Sequence, residues 1–199
     1  MTDRVVLATH NAHKVCELQR ILRAAGLDVE LVGLEEFPDA PEVAETESSF
    51  AGNALLKART IADFTGLPAI ADDSGLCVDA LNGMPGIYSA RWSGQHGDDP
   101  ANLDLVLGQV ADVPDSRRSA QFVCAAAWVV PGVSEHVVEG VLEGSLARAP
   151  RGGNGFGYDP IFVPAGYALT TAELRPEEKD AISHRGQAFR ALAQVMASR

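Results

Sequence analysis

Arg4-Val5-Val6-Leu7-Ala8-Thr9-His10-Asn11-Ala12-His13-Lys14-Val15 decides the fold class, because the hydrophobic period changes within this one stretch. The β-branched run at 4–8 reads as a buried strand, and Thr9-His10-Asn11 as a polar turn. Val15, Leu18, Leu22 and Ala25 then recur at intervals of three and four, which places one apolar stripe along a helix that Gly26 can end. The chain therefore opens strand, turn, helix.

The same alternation continues outward. A second strand is predicted at 29–33, followed by a long polar loop at 35–47, rich in Pro and Glu. Phe50, Ala54, Leu55, Ala58, Ile61 and Ala62 predict a helix over 49–64, stopped by Gly66-Leu67-Pro68. Ala69-Ile70-Ala71 reads as a short strand running into Asp72-Asp73-Ser74-Gly75, with a sharp turn expected at Gly75. Asp98-Asp99-Pro100 supplies an N-cap and an early proline for a helix reaching about Val110. Segments 119–130 and 135–147 around Pro131-Gly132-Val133 predict a hairpin, and a last helix is expected over 183–196. The class is α/β, a mixed sheet with flanking helices, in a chain read as one domain over 1–199.

With 46% apolar residues the chain can bury a real core. A net charge of -11 gives no broad basic footprint, so nucleic acid is not an expected partner, although a local Lys and Arg cluster can still hold a nucleotide-sized anion. No stretch approaches the length of a membrane helix and the N-terminus lacks the apolar run of a signal peptide, so no membrane association and a cytoplasmic location are expected. Cys16, Cys77 and Cys124 lack metal or redox spacing and read as small buried hydrophobes.

Four clusters carry chemistry. Thr9 to Lys14 lies between a strand and a helix N-terminus, where backbone N–H groups and the helix dipole favour phosphate and Lys14 adds a full charge. Capping alone would explain Thr9 and Asn11 equally well. Asp72 and Asp73 are consecutive on extended backbone, so their carboxylates point opposite ways and at most one faces a given ligand. A Mg²⁺ ion needs only one or two such carboxylates, with Glu45 in the polar loop a candidate second ligand; an acidic capping turn is the plainer alternative. Gly152 to Pro160 sets Phe156 and Tyr158 among four glycines, suited either to stacking a base, with Asp159 accepting from a ring N–H, or to plugging the core. Lys179, Ser183, His184 and Arg185 gather donors that suit a purine with an oxygen at position 6, or simply a solvated helix start.

Taken in order, Ala8-Thr9-His10-Asn11-Ala12-His13-Lys14, Ser49 to Ala58, Ala71-Asp72-Asp73-Ser74-Gly75-Leu76, Gly86 to Arg91, Gly155-Phe156-Gly157-Tyr158-Asp159-Pro160-Ile161-Phe162 and Ser183-His184-Arg185-Gly186 resemble the inosine triphosphate pyrophosphatase family, the non-standard purine NTP pyrophosphatases. The resemblance implies an elongated mixed sheet spanning two lobes, with an active-site cleft between them and a homodimer as the assembly. It implies Mg²⁺-dependent hydrolysis of ITP, dITP and XTP to the monophosphate and pyrophosphate. On matching positions, Thr9, His10, Asn11, Ala12, His13 and Lys14 would bind phosphate, supported by Asn53 and Lys57. Glu45 and Asp73 would hold the metal, with Asp73 the proton acceptor and Asp72 assisting. Ser74 would contact substrate, Phe156, Gly157, Tyr158 and Asp159 would enclose the base, and Lys179, His184 and Arg185 would complete its pocket. His10 departs from the small residue many relatives carry. A non-catalytic purine-nucleotide sensor, or a pyrophosphatase for other modified nucleotides, would keep many of the same residues.

Overall fold

The computed structural model describes residues 3–10 and 12–198, without the side chains of residues 3, 12, 13 and 17. Among the described residues, seven strands form one mixed sheet: β1 (Asp3–Leu7), β2 (Val29–Val32), β3 (Ala69–Val78), β4 (Met84–Pro85), β5 (Ser119–Val130), β6 (Ser134–Leu146) and β7 (Phe162–Pro164). Their order is β2-β1-β3-β5-β6-β7, with β4 alongside β3. β1 is parallel to β2 and to the start of β3, whereas β3–β4 and β6–β7 are antiparallel. The helices are α1 (Ala12–Ala24), α2 (Phe50–Thr65), α3 (Asp99–Gln109), α4 (Pro176–Ile182) and α5 (His184–Ala197). None of the described helices is long and apolar enough to cross a membrane.

The chain divides into two compact units. The first holds the chain up to Asp73, Cys124–Gly140 and everything from Arg185 onward; the second holds Ser74–Val123 and Val141–His184.

In the first unit, the two-residue period of the strands sorts side chains between two cores. Val5, Leu7, Ile70, Cys124, Ala126 and Trp128 pack with Leu18 and Leu22 of α1 and Phe189, Leu192 and Met196 of α5. Val6, Ala69, Ala71, Ala125, Ala127 and Val129 pack with Ala54, Ala58, Ile61 and Ala62 of α2. Helices thus cover both faces, and burial on both faces explains why these strands read as continuous apolar runs. Ser49 begins α2 as expected, its hydroxyl accepting Gly52 N–H at 3.0 Å.

In the second unit, Leu76 and Val78, Leu103 and Val106 of α3, Val110 just past its end, Phe122, Leu146, Tyr158, Ile161 and Phe162 form a third core. Asp98 caps α3, accepting Ala101 N–H at 3.1 Å, and Pro100 occupies its first turn.

Two expectations change. The chain does not turn at Gly75, since β3 continues to Val78. Glycine is needed there for close approach: a Cβ would collide with the Gly86 carbonyl and the Ser89 hydroxyl. The last helix, α5, follows the expected span, with Ser183 in an extended backbone separating it from the short α4 that the sequence did not announce. Cys16 is exposed, lying off the Leu18–Leu22 stripe that faces the core, whereas Cys124 is buried as expected.

Candidate functional site

The register that fills the first unit's two cores also aims its two acids. Ile70 faces the α1 and α5 side and Ala71 the α2 side, so Asp72 follows the former and Asp73 the latter. Both carboxylates are buried.

Asp72 meets cations from both helices on its side. Lys14 Nζ of α1 lies 2.9 Å from each of its oxygens, and Arg185 Nε of α5 donates to Oδ2 at 3.3 Å. Burial opposes ionisation of this acid, but Lys14 and Arg185 outweigh it and hold its pKa well below the ordinary carboxylate value.

Asp73 has the opposite setting. Asn53, fully buried on α2, donates Nδ2–H to Asp73 Oδ2 at 2.9 Å while its own Oδ1 accepts Glu47 N–H at 2.9 Å. Lys57, one helical turn on, lies 2.9 Å from Glu45 Oε1 and 3.5 Å from Asp73 Oδ1. Burial and the nearby Glu45 charge raise the Asp73 pKa against the pull of Lys57. Burial works against the charge on Lys57, but Asp73 and Glu45 prevail and raise its pKa. Two neighbouring acids are therefore pushed apart in proton affinity, the pattern that separates a permanent anion from a base.

Lys14, Glu45, Asn53, Lys57, Asp72, Asp73 and Arg185 thus gather in one unit. Arg185, expected among the base-binding donors, forms an ion pair with Asp72. Of the phosphate turn, Thr9 donates its N–H to Leu7 O at 2.7 Å and its carbonyl accepts Leu34 N–H at 3.0 Å, while His10 is exposed. Asn11 and the side chains of Ala12 and His13 lie outside the described residues.

The second unit holds the glycine-rich loop and α4. Phe156 is 62% exposed, and Lys179 Nζ lies 5.3 Å from its ring centroid. Tyr158, expected beside it around a base, belongs to the core: it is 5% exposed and donates its hydroxyl to Ser89 O at 2.8 Å. One of the two aromatics is thus exposed and the other is part of the core. Asp159 is not an open acceptor either, for Oδ2 accepts Phe156 N–H at 2.9 Å and pairs with Lys179, while Oδ1 accepts the Thr171 hydroxyl at 2.8 Å. Gly157 N–H donates to Asp99 Oδ2 at 2.8 Å. His184 stacks on Phe122, with ring centroids 4.9 Å apart and planes at 15°. Ser74, the first residue of this unit, is half-buried.

Sequence reasoning missed Thr171 and treated Asp99 only as part of a helix start. Asp99 carried a detectable signal, a second acid at a terminus that Asp98 alone caps. Thr171 carried none.

The Ham1 family profile matches residues 5–195 of the chain. The chain is 61% identical over 193 residues to a Streptomyces coelicolor protein named dITP/XTP pyrophosphatase, covering 97% of this chain and 96% of that one. Its structure is similar to that of a HAM1 protein from Coxiella burnetii, at a TM-score of 0.92 and 44% identity with both chains fully covered. It is also similar to a nucleoside-triphosphatase, dITP/XTP pyrophosphatase, from Mycobacterium abscessus, at a TM-score of 0.83 and 57% identity over 97% of this chain and 99% of that one.

Proposed function

The chain belongs to the Ham1 family, and from that premise we propose that it hydrolyses the non-standard purine nucleoside triphosphates ITP, dITP and XTP to the monophosphate and pyrophosphate, removing them from the nucleotide pool. The observation that carries the reading is the opposed pair on β3. Asp72 is held as an anion by Lys14 and Arg185, and Asp73 is raised in proton affinity beside Lys57 and Glu45.

In the proposed reaction a water oxygen bonds to phosphorus, the bridging P–O bond to the departing pyrophosphate breaks, and the water proton passes to the Asp73 carboxylate. A raised pKa makes Asp73 a better acceptor than an ordinary aspartate. Lys14 and Lys57 oppose the negative charge of the triphosphate, and Asn53 fixes the carboxylate that takes the proton. Thr9 to Lys14 would receive the phosphates, and Ser74 would touch the substrate.

Mg²⁺ is part of the proposal. Among the described residues no group of three or more His, Cys, Asp or Glu side chains is gathered to hold a metal. Glu45 and Asp73, drawn around one ammonium, nevertheless suit a hard cation that takes its remaining ligands from water and substrate phosphate. When bound there, Mg²⁺ would supply charge neutralisation and a more acidic water.

For the base, Phe156 offers an exposed face, with Gly157 and Asp159 shaping the loop, while Lys179 and His184 offer donors to an oxygen at position 6. Adenine presents a donor at that position and would leave them unpaired. We further propose one catalytic domain formed by the whole chain, a homodimer in solution and a cytoplasmic location.

Pyrophosphate release from ITP, XTP, GTP and ATP, with and without Mg²⁺, tests the reading. Fast, metal-dependent cleavage of ITP and XTP alone is expected. Binding of ITP without hydrolysis would overturn the catalytic assignment, and equal cleavage of ATP would overturn the base pocket.

A further inference from the structure

We propose that Thr171 is a positioning residue for base recognition, acting through the buried carboxylate of Asp159 on Lys179 and the Phe156 backbone. The inference rests on the base-pocket reading above.

Thr171 is 1% exposed and lies just past the exposed Leu169, so its burial is local and specific. Its backbone is fixed by its N–H donating to Phe162 O at 2.8 Å, and its hydroxyl donates to Asp159, with Oγ1 2.8 Å from Oδ1 and 3.1 Å from the carbonyl oxygen. The two oxygens of Asp159 therefore divide their work. Oδ1 is held by Thr171, while Oδ2 takes both Phe156 N–H and the Lys179 ammonium.

An aspartate carboxylate turns through a broad terminal torsion, so a carboxylate gripped on one oxygen aims the other. Lys179 carries its charge on a flexible four-carbon stem, and its pair with Oδ2 supplies a fixed point while leaving two of its three hydrogens for a ligand. The same oxygen fixes the amide of Phe156, the exposed aromatic, and Asp99 holds the next amide from α3. Gly155 closes over this pair with φ 78°; a Cβ there would fall onto the Asp159 carboxylate and within 2.8 Å of Lys179 Nζ. Backbone, carboxylate and ammonium are thus built around one another, and Thr171 is the neutral group behind them.

Discrimination between an acceptor and a donor at position 6 depends on donor placement, so loss of this grip should act on nucleotide affinity and preference rather than on the hydrolytic step. The experiment is steady-state hydrolysis of ITP and ATP by Thr171→Val, which keeps the shape and removes the hydroxyl, by Thr171→Ser, which keeps the hydroxyl, and by Lys179→Ala. For Thr171→Val we expect KM for ITP about tenfold higher, from the loss of roughly one hydrogen bond's worth of placement, with kcat within about twofold. The ITP over ATP preference should fall, and Thr171→Ser should behave as the unsubstituted protein. If Lys179→Ala raises KM but Thr171→Val does not, the proposal fails while the base pocket stands. If Lys179→Ala changes neither KM nor preference, the base pocket itself fails and the proposal with it. Equal defects in the Val and Ser variants would mark a packing role and overturn it. Should Thr171→Val not fold, Thr171→Cys, of similar size with a weak donor, is read by the same split between KM and kcat.

Discussion

Lys14 Nζ lies 2.9 Å from both carboxylate oxygens of Asp72, on one face of β3, and this ion pair leaves the adjacent Asp73 to a different set of partners on the other face. The pleat separates the two acids more effectively than distance along the chain would.

Asp73→Asn should separate stability from activity. The raised folded-state pKa of Asp73 means that its contribution to stability is present below the ordinary carboxylate pKa and lost as pH rises through the folded value, so at neutral pH the ionised group works against folding. Asparagine removes that charge and keeps an oxygen for Asn53. Turnover should drop by about a hundredfold or more while Tm at neutral pH stays equal or rises. Wild-type turnover in this variant would remove Asp73 from the proposed chemistry.

Asp72→Asn should do the reverse. Its folded pKa is depressed, so its contribution is full above the ordinary carboxylate value, about 4, and is lost as pH falls toward the folded one. The variant also leaves Lys14 and Arg185 without their anion. Urea midpoints for the metal-free protein should show it less stable at neutral pH, with the gap closing as the solution is acidified. A gap that stays constant from neutral to strongly acidic pH would show that the ion pairs contribute nothing to folding.

The first unit was the more legible from sequence, and the reason is periodicity. Leu18 and Leu22, or Ala54 and Ala58, announce a helix face, and the alternation through Asp72 and Asp73 announces opposed carboxylates before any partner is known. The partners were identifiable only in part. Lys14 and Lys57 stand out as cations, but which acid each serves depends on which helix covers which face, and that is settled by long-range packing of α1, α2 and α5. In the second unit the signal was chemical rather than periodic, and residue type alone could not separate exposed Phe156 from buried Tyr158 two positions on. Thr171 was silent because a single buried hydroxyl leaves no pattern. Gly75 was misread because glycine marks a turn and a close backbone approach equally well.

That distinction can be tested against a second glycine. A Cβ at Gly75 would meet the Gly86 carbonyl, which no rotamer change can move aside, whereas a Cβ at Gly108 in α3 meets nothing within 4 Å. Gly75→Ala should destabilise by about 1 to 3 kcal/mol or more. Gly108→Ala should stabilise by roughly 0.5 to 1 kcal/mol, since alanine loses less backbone freedom in a helix. Chemical denaturation of both variants checks this, and a tolerated Gly75→Ala would mean that β3 and the Gly86 turn have room to separate.

Arg118 offers a last test, of how the second unit holds its helix end. This side chain is buried and, among the described residues, hydrogen-bonded to carbonyls rather than a carboxylate: Nη1 donates to Val110 O just past α3 at 2.5 Å, Nε to Leu146 O at 3.0 Å and Nη2 to Ala147 O at 2.9 Å. A planar guanidinium serves three carbonyls at once, which a lysine's point charge on a flexible stem does not reproduce. Replacing both partners of a buried polar contact can be nearly neutral, but Arg118→Leu removes one side and leaves three acceptors behind. The expected loss is at least about 3 kcal/mol, or roughly 6 to 12 °C in Tm for a chain of this size, and Arg118→Lys should recover only a small part of it. A loss under about 1 kcal/mol would mean that water takes over the three carbonyls, and that the end of α3 is held by the packing of Val106 and Val110 rather than by the arginine.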